Sequence, residues 1–115
     1  TGVGVLQTAA DNDMLSIGVD SNQNYLHSGK VLTSMLKRVD NAVYDAFAAG
    51  ADLEAGFIVM GLANGGVGYA VDEHNEALIT DEMSAAVEAA KASIIAGDIM
   101  VHNYNSDETC PSLDF

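Results

Sequence analysis

The sequence predicts an α/β fold built around a mainly parallel sheet. Three observations carry this expectation. Short β-type runs alternate with runs of helical periodicity, the pattern of layered α/β architectures. Glycines stand at the boundaries between those runs, where turns and helix ends need them. Hydrophobic residues make up 49% of the 115-residue chain, enough to demand a packed core rather than a disordered segment.

The first element is a helix over residues 3–10, entered from a glycine turn in "TGVGVLQTAA". Residues 14–19, "MLSIGV", form a strand whose last four positions read as buried, and Asp20 stands immediately past its end. A second strand covers residues 31–36, "VLTSML", with Lys37 at its end. Residues 40–49 are an amphipathic helix with Val43, Ala46 and Phe47 on one stripe and Gly50 as its C-cap. "GFIVMGLANGGVGYAV" reads as strand, turn, strand, with the turn at Asn64-Gly65. Thr80 caps the next helix, and Asp81 and Glu82 complement its positive end. Met83, Val87, Ala90 and Ile94 form its apolar stripe, Gly97 ends it, and "DIMVHNY" reads as a last short strand.

Charge excludes one class of partner. Seventeen acidic residues oppose four basic ones, for a formal −13. No Lys/Arg field exists to hold a phosphate backbone, so a nucleic-acid partner is not expected. The acidity fits a solvated surface or adaptation to high salt, which screens self-repulsion. The apolar run "FIVMGLA" is far too short to span a bilayer. The single cysteine, Cys110, has no internal disulfide partner and no metal-ligand spacing around it.

Most candidate motifs have plain alternatives. "TGVGVLQ" contains G-x-G, yet it lacks the preceding strand and third glycine of a dinucleotide fingerprint. "DEHNE", residues 72–76, groups a histidine with acids but reads as a solvated loop between a strand and a helix rather than a metal site. His27 and His102 stand alone in polar settings. Ser21, Ser28 and Ser34 lack a nucleophile-elbow context. With no nucleophile–base pair and no metal cluster, neither an enzyme nor a bound cofactor is expected.

Asp20 and Lys37 are different. In open α/β sheets, ligands bind outside the carboxyl ends of the strands. An aspartate there can accept two hydrogen bonds from a vicinal diol. The plain alternative is a turn former or helix cap. Lys37, at the end of the second strand, could pair with Asp20 or donate to the same ligand oxygens, or be an ordinary exposed lysine.

Four blocks in order, "TGVGVLQTA", "IGVDSNQN", "VLTSMLKRVDNAVYDA" and "GLANGGVGYA", resemble the motifs of the basic membrane protein family. These are substrate-binding lipoproteins of ABC transporters whose best-understood members are purine-nucleoside receptors. The resemblance runs through nearly the whole chain and fades after Gly97. Asn22 stands where the family usually carries an acid, which leaves Asp20 as the only carboxylate of its block.

The resemblance implies a two-lobed, type I periplasmic-binding-protein-like fold that traps its ligand between lobes. Residues 1–115 would form the C-terminal portion of such a domain, with residues 103–115 as a tail and further chain upstream. Asp20 and Lys37 match the family's aspartate and lysine that hold the ribose hydroxyls, and Gly2 is the surviving candidate from its glycine turn. The implied partners are a nucleoside and a transporter permease, and the implied location is extracytoplasmic, either lipid-anchored or periplasmic. A homo-oligomer formed through exposed strand edges is a further expectation. The alternative function is a cytoplasmic ligand-sensing regulatory domain on the same fold.

Overall fold

Helix α1 (Gly2–Asp11) begins one residue after Thr1 and buries Leu6, its one solvent-free side chain. Gln7, Ala9 and Ala10 favour the helix and outweigh the two glycines that weaken its first turn. This computed structural model describes residues 1–104. The expected glycine turn is absent, because Gly2 and Gly4 already lie inside α1. The helix closes when Met14 N–H donates to Ala9 O at 2.9 Å, with Asp13 in the left-handed region at φ 59°. That closure absorbs Met14 and Leu15 into the turn. Strand β1 therefore covers Ser16–Asp20, and Asp20 is its last residue rather than the first beyond it.

Among the described residues the sheet has three strands in the order β1-β2-β3. β2 (Val31–Lys37) is central; it pairs parallel to β1, with Val19 opposite Met35 and Asp20 opposite Leu36. β3 (Val67–Tyr69) lies antiparallel on its other side, with Met35 opposite Tyr69 and Lys37 opposite Val67. The β1–β2 connection, residues 21–30, contains only a single 3-10 turn at Asn24–His27. The expected parallel pairing is present at β1–β2, and the late strand adds an antiparallel edge.

Among the described residues, apolar burial is confined to Leu6, Val31 and Ala70, while Asn24, Ser34 and Asn75 are also buried. Of β1, only Gly18 is buried; Ile17 and Val19 are exposed. A side chain at position 18 would place its Cβ 2.5 Å from Ser34 Oγ and 3.0 Å from Gln23 Cβ, so the strand can pack there only as glycine.

Helix α2 (Val39–Ala49) starts at an Arg38–Asp40 ion pair and ends at Gly50, the expected C-cap. Helix α3 (Asp81–Ala96) is capped as expected. Thr80 Oγ1 accepts from Met83 N–H at 3.1 Å, and Gly97 takes the left-handed conformation at φ 84°. Tyr69 Oη donates to Glu88 Oε1 at 2.9 Å, tying β3 to α3. No helix among the described residues is long and apolar enough to cross a membrane.

Three expectations fail in the apolar pattern. Residues 57–60 join no ladder; Gly61 N–H instead donates to Asn64 Oδ1 at 2.7 Å and Gly66 N–H to Gly61 O at 2.8 Å, closing a compact loop. That loop places its turn at Asn64-Gly65, as expected, with Gly65 at φ 69°. Residues 98–104 carry no strand. The stripes of α2 and α3 are not buried either, since neither helix has a solvent-free residue. Cys110 and most of the expected tail, residues 105–115, lie outside the described residues.

Candidate ligand-binding site

β1 and β2 run parallel and end together, so Asp20 and Lys37 emerge at the same edge of the sheet. Lys37 Nζ lies 3.1 Å from Asp20 Oδ1, and both side chains are about two-thirds exposed. The two sequence-predicted residues thus form one acceptor–donor pair open to solvent at the strands' carboxyl ends. Gly2, the third candidate, is the exposed first residue of α1, and a Cβ there would meet nothing within 4 Å. α1 packs on β1 and returns through the short turn at residues 12–15, which sends its amino end toward the carboxyl end of β1.

Asp20 sits at φ 82°, in the left-handed region that non-glycine residues rarely adopt. Such a conformation costs about 1–3 kcal/mol and persists only where the surroundings over-determine it. An exposed ion pair returns at most about 1 kcal/mol, so the contact with Lys37 does not by itself account for the strain. The surroundings do. Val19 N–H donates to Gln23 Oε1 at 3.0 Å, folding the chain back around Asp20. Gln23 N–H donates to Ser34 Oγ at 3.0 Å, and Ser34 Oγ–H donates to Asn24 Oδ1 at 2.7 Å. Asn24 N–H donates to Asn22 Oδ1 at 3.0 Å.

This turn is anchored by a distant segment of the sequence. Asp72 Oδ2 accepts from Asn22 Nδ2 at 2.6 Å and from Asn24 Nδ2 at 3.1 Å, while its Oδ1 accepts from His74 N–H at 2.8 Å. The Asn22 amide, with the His74 N–H and the Asn24 amide, holds the Asp72 carboxyl below its ordinary value, against a smaller opposing effect of burial. Asn75 completes the lock. Its Nδ2 donates to Leu32 O and Ala70 O at 2.8 and 2.9 Å, and its Oδ1 accepts from Asp72 N–H at 2.8 Å. Residues 72–76 are therefore not simply a solvated loop: Glu73 and Glu76 face solvent, but Asn75 is buried and Asp72 is an internal acceptor.

Sequence reasoning missed Asn22, Asn24, Asp72 and Asn75 as a unit. The available signal was two amide-rich turns, "SNQN" and "DEHN", each dense in residues that hydrogen-bond their own backbone. Asp72, Glu73 and His74 bring ligand atoms within 4.8 Å of one another. Three N–H donors already occupy the Asp72 oxygens, which explains the cluster without an ion. An open apolar groove of about 920 Å³ lies away from the Asp20–Lys37 pair, lined by Met35, Tyr69, Val87, Ile94 and Val101 among others. Met35 precedes Lys37 by two positions, so the groove floor and the lysine share one face of β2. The groove's lining is mainly apolar, with Tyr69, Lys91, His102, Asn103 and Tyr104 as its polar side chains.

A family profile described as ABC transporter substrate-binding protein PnrA-like matches residues 1–104. A solved structure described as an ABC transporter system solute-binding protein from Aeropyrum pernix K1 superposes with a TM-score of 0.63 at 25% identity. The match covers 84% of this chain and 35% of that one, so the chain spans about a third of the solute-binding protein's length. No curated protein sequence matches. The small sheet with its parallel pairing is similar to the fold of periplasmic solute-binding proteins. With four-fifths of the chain superposed and the family profile covering every described residue, the chain belongs to the Bmp family of PnrA-like ABC transporter substrate-binding proteins.

Proposed function

We propose that this chain is part of the substrate-binding component of an ABC importer and that it holds the ribose of a nucleoside, most suitably a purine nucleoside, in a cleft between two lobes. The observation that carries this reading is the Asp20–Lys37 pair, 3.1 Å apart at the carboxyl ends of adjacent parallel strands. The carboxylate accepts two hydroxyl hydrogen bonds from a vicinal diol, and the ammonium donates to the same oxygens. Gly2, at the exposed start of α1, offers a backbone N–H without side-chain obstruction.

The mechanism is capture by closure of one lobe on the other, with no bond made or broken. The open groove lined by Met35 of β2 and the exposed apolar side chains around it support a second body packing against this one. In this reading residues 1–115 are the C-terminal portion of the substrate-binding domain, the permease is the downstream partner, and the location is extracytoplasmic, either lipid-anchored or periplasmic.

The test uses the full-length protein. Asp20→Ala is expected to weaken adenosine binding by about 1.5–3 kcal/mol, the scale of hydrogen bonds to a charged group. In calorimetry, 2′,3′-dideoxyadenosine should bind the wild type poorly and lose little more in the variant. Equal wild-type affinity for the two compounds overturns the ribose assignment.

A further inference from the structure

Asp20 is held in a left-handed conformation that a residue with a Cβ disfavours, and part of the restraint traces to a residue half the chain away. The turn that follows it has two fixed points. One is internal to the sheet, through Gln23 and the solvent-free Ser34 hydroxyl. The other is Asp72, whose single oxygen Oδ2 gathers the amides of both Asn22 and Asn24. Asn24 is fully buried and its link to the half-buried Asp72 is partly shielded from water, while the carboxylate acceptor makes both bonds charge-assisted.

We propose that Asp72 is a positioning residue for Asp20: by clamping Asn22 and Asn24 it sets the strained end of β1 and hence where the Asp20 carboxylate meets its ligand, which rests on the assignment of Asp20 to the ribose. In this proposal Asp72 and Asn22 act through the turn rather than by contact with the ligand. The titratable groups beside Asp72 are Glu73 and His74 on its own loop, whereas the turn packed against it contributes the uncharged amides of Asn22 and Asn24. The clamp therefore depends on one side of the contact donating. Asn22 supplies that donor, and an acid at position 22 would face the Asp72 oxygen at the same 2.6 Å separation as a second acceptor.

Asn22→Asp in the full-length protein tests this, because it keeps the shape and reverses the hydrogen bond. At about pH 8 the two carboxylates repel; at about pH 4.5 they can share a proton, since like charges this close raise one pKa. Expected at the higher pH are displaced amide resonances for Val19 and Asp20 in proton–nitrogen spectra, with Leu6 and Val31 unmoved. Adenosine affinity should fall about tenfold while 2′,3′-dideoxyadenosine affinity holds, and both effects should reverse at the lower pH. An unmoved Asp20 resonance, or equal loss for both nucleosides, overturns the proposal. Wild type binding both nucleosides alike would sink the ribose assignment alone, since the resonances still decide whether Asp72 positions Asp20. If Asn22→Asp does not fold, Asn22→Ala removes the donor without adding charge; it should shift the same two resonances by less, and no shift overturns the proposal.

Discussion

Asn24, Ser34 and Asn75 are almost solvent-free, whereas Phe57, Val59 and Met100 are each more than four-fifths exposed. The first set surrounds β2 and joins two turns that lie some fifty residues apart in sequence. The second set lies in the segments that precede β3 and follow α3, and Val59 of this set lines the open groove. Polarity alone would have sorted these residues the other way. The difference teaches that burial here follows from satisfied geometry. Each amide of the first set finds backbone or side-chain partners that replace water, so its desolvation is compensated. The apolar residues of the second set have, among the described residues, too little surface to pack against.

The sharpest way to break this contrast is at Asn75. Asn75→Leu keeps the volume but leaves Asp72 N–H and the Leu32 carbonyl without their partner inside a closed environment. With about 1–3 kcal/mol for each stranded group, a loss of roughly 3 kcal/mol in urea unfolding is expected. A loss below about 0.5 kcal/mol would show that water reaches this network freely.

Gly18→Ala probes the same half by volume rather than polarity. Its methyl group would contact Ser34 Oγ, which is already held between Gln23 N–H and Asn24 Oδ1 and cannot move without breaking both bonds. Overpacking of this kind costs about 1–3 kcal/mol. Urea unfolding of this variant should also show a larger loss when Ser34 is intact than in Gly18→Ala/Ser34→Ala, where the obstructing oxygen is gone.

Acid titration reaches both halves at once. Asp13, Asp40 and Asp72 are held below 3.8 and Glu88 below 4.5, each chiefly by a hydrogen bond: from Lys30, Arg38, Asn22 and Tyr69 respectively. Arg38 takes Asp40 down to about 2. Because the folded values lie below the unfolded ones, these groups add stability above about pH 4.5 and lose it as pH falls toward 2. Circular dichroism should show the melting temperature falling through that window, and Asp72→Asn should flatten part of the decline. Across neutral pH, the formal charge of −13 predicts a separate rise in melting temperature with potassium chloride.

The smallest effect is expected at Val87 in the open half. Val87→Ser on these 115 residues should change urea stability by less than about 0.5 kcal/mol, because the side chain is already substantially exposed. In the full-length protein the same change should cost about 1–2 kcal/mol if a second body covers the groove. Equal small effects in both would mean that this face stays open.

Local signals alone determined much of this protein. Thr80 and Gly97 bound α3, Gly50 ends α2, Asn64-Gly65 turns the chain, and Asp20 and Lys37 close neighbouring strands. Each depends on a few adjacent residues, through capping, left-handed backbone or strand alternation, and such short-range chemistry is written in consecutive letters. Tertiary structure decided the rest. Residues 57–60 and 98–104 have strand composition but no ladder partner, and β propensity is a preference for a pleated, half-buried surface that must be supplied by neighbours. The stripe of α3 likewise has the right period without the burial. Asp72 and Asn75 looked like solvent-facing loop residues until the fold brought them against Asn22, Asn24 and Leu32. A polar side chain is internal only when its partners arrive from elsewhere in the chain, and hydrogen bonds spanning some fifty residues leave no periodic trace in the sequence.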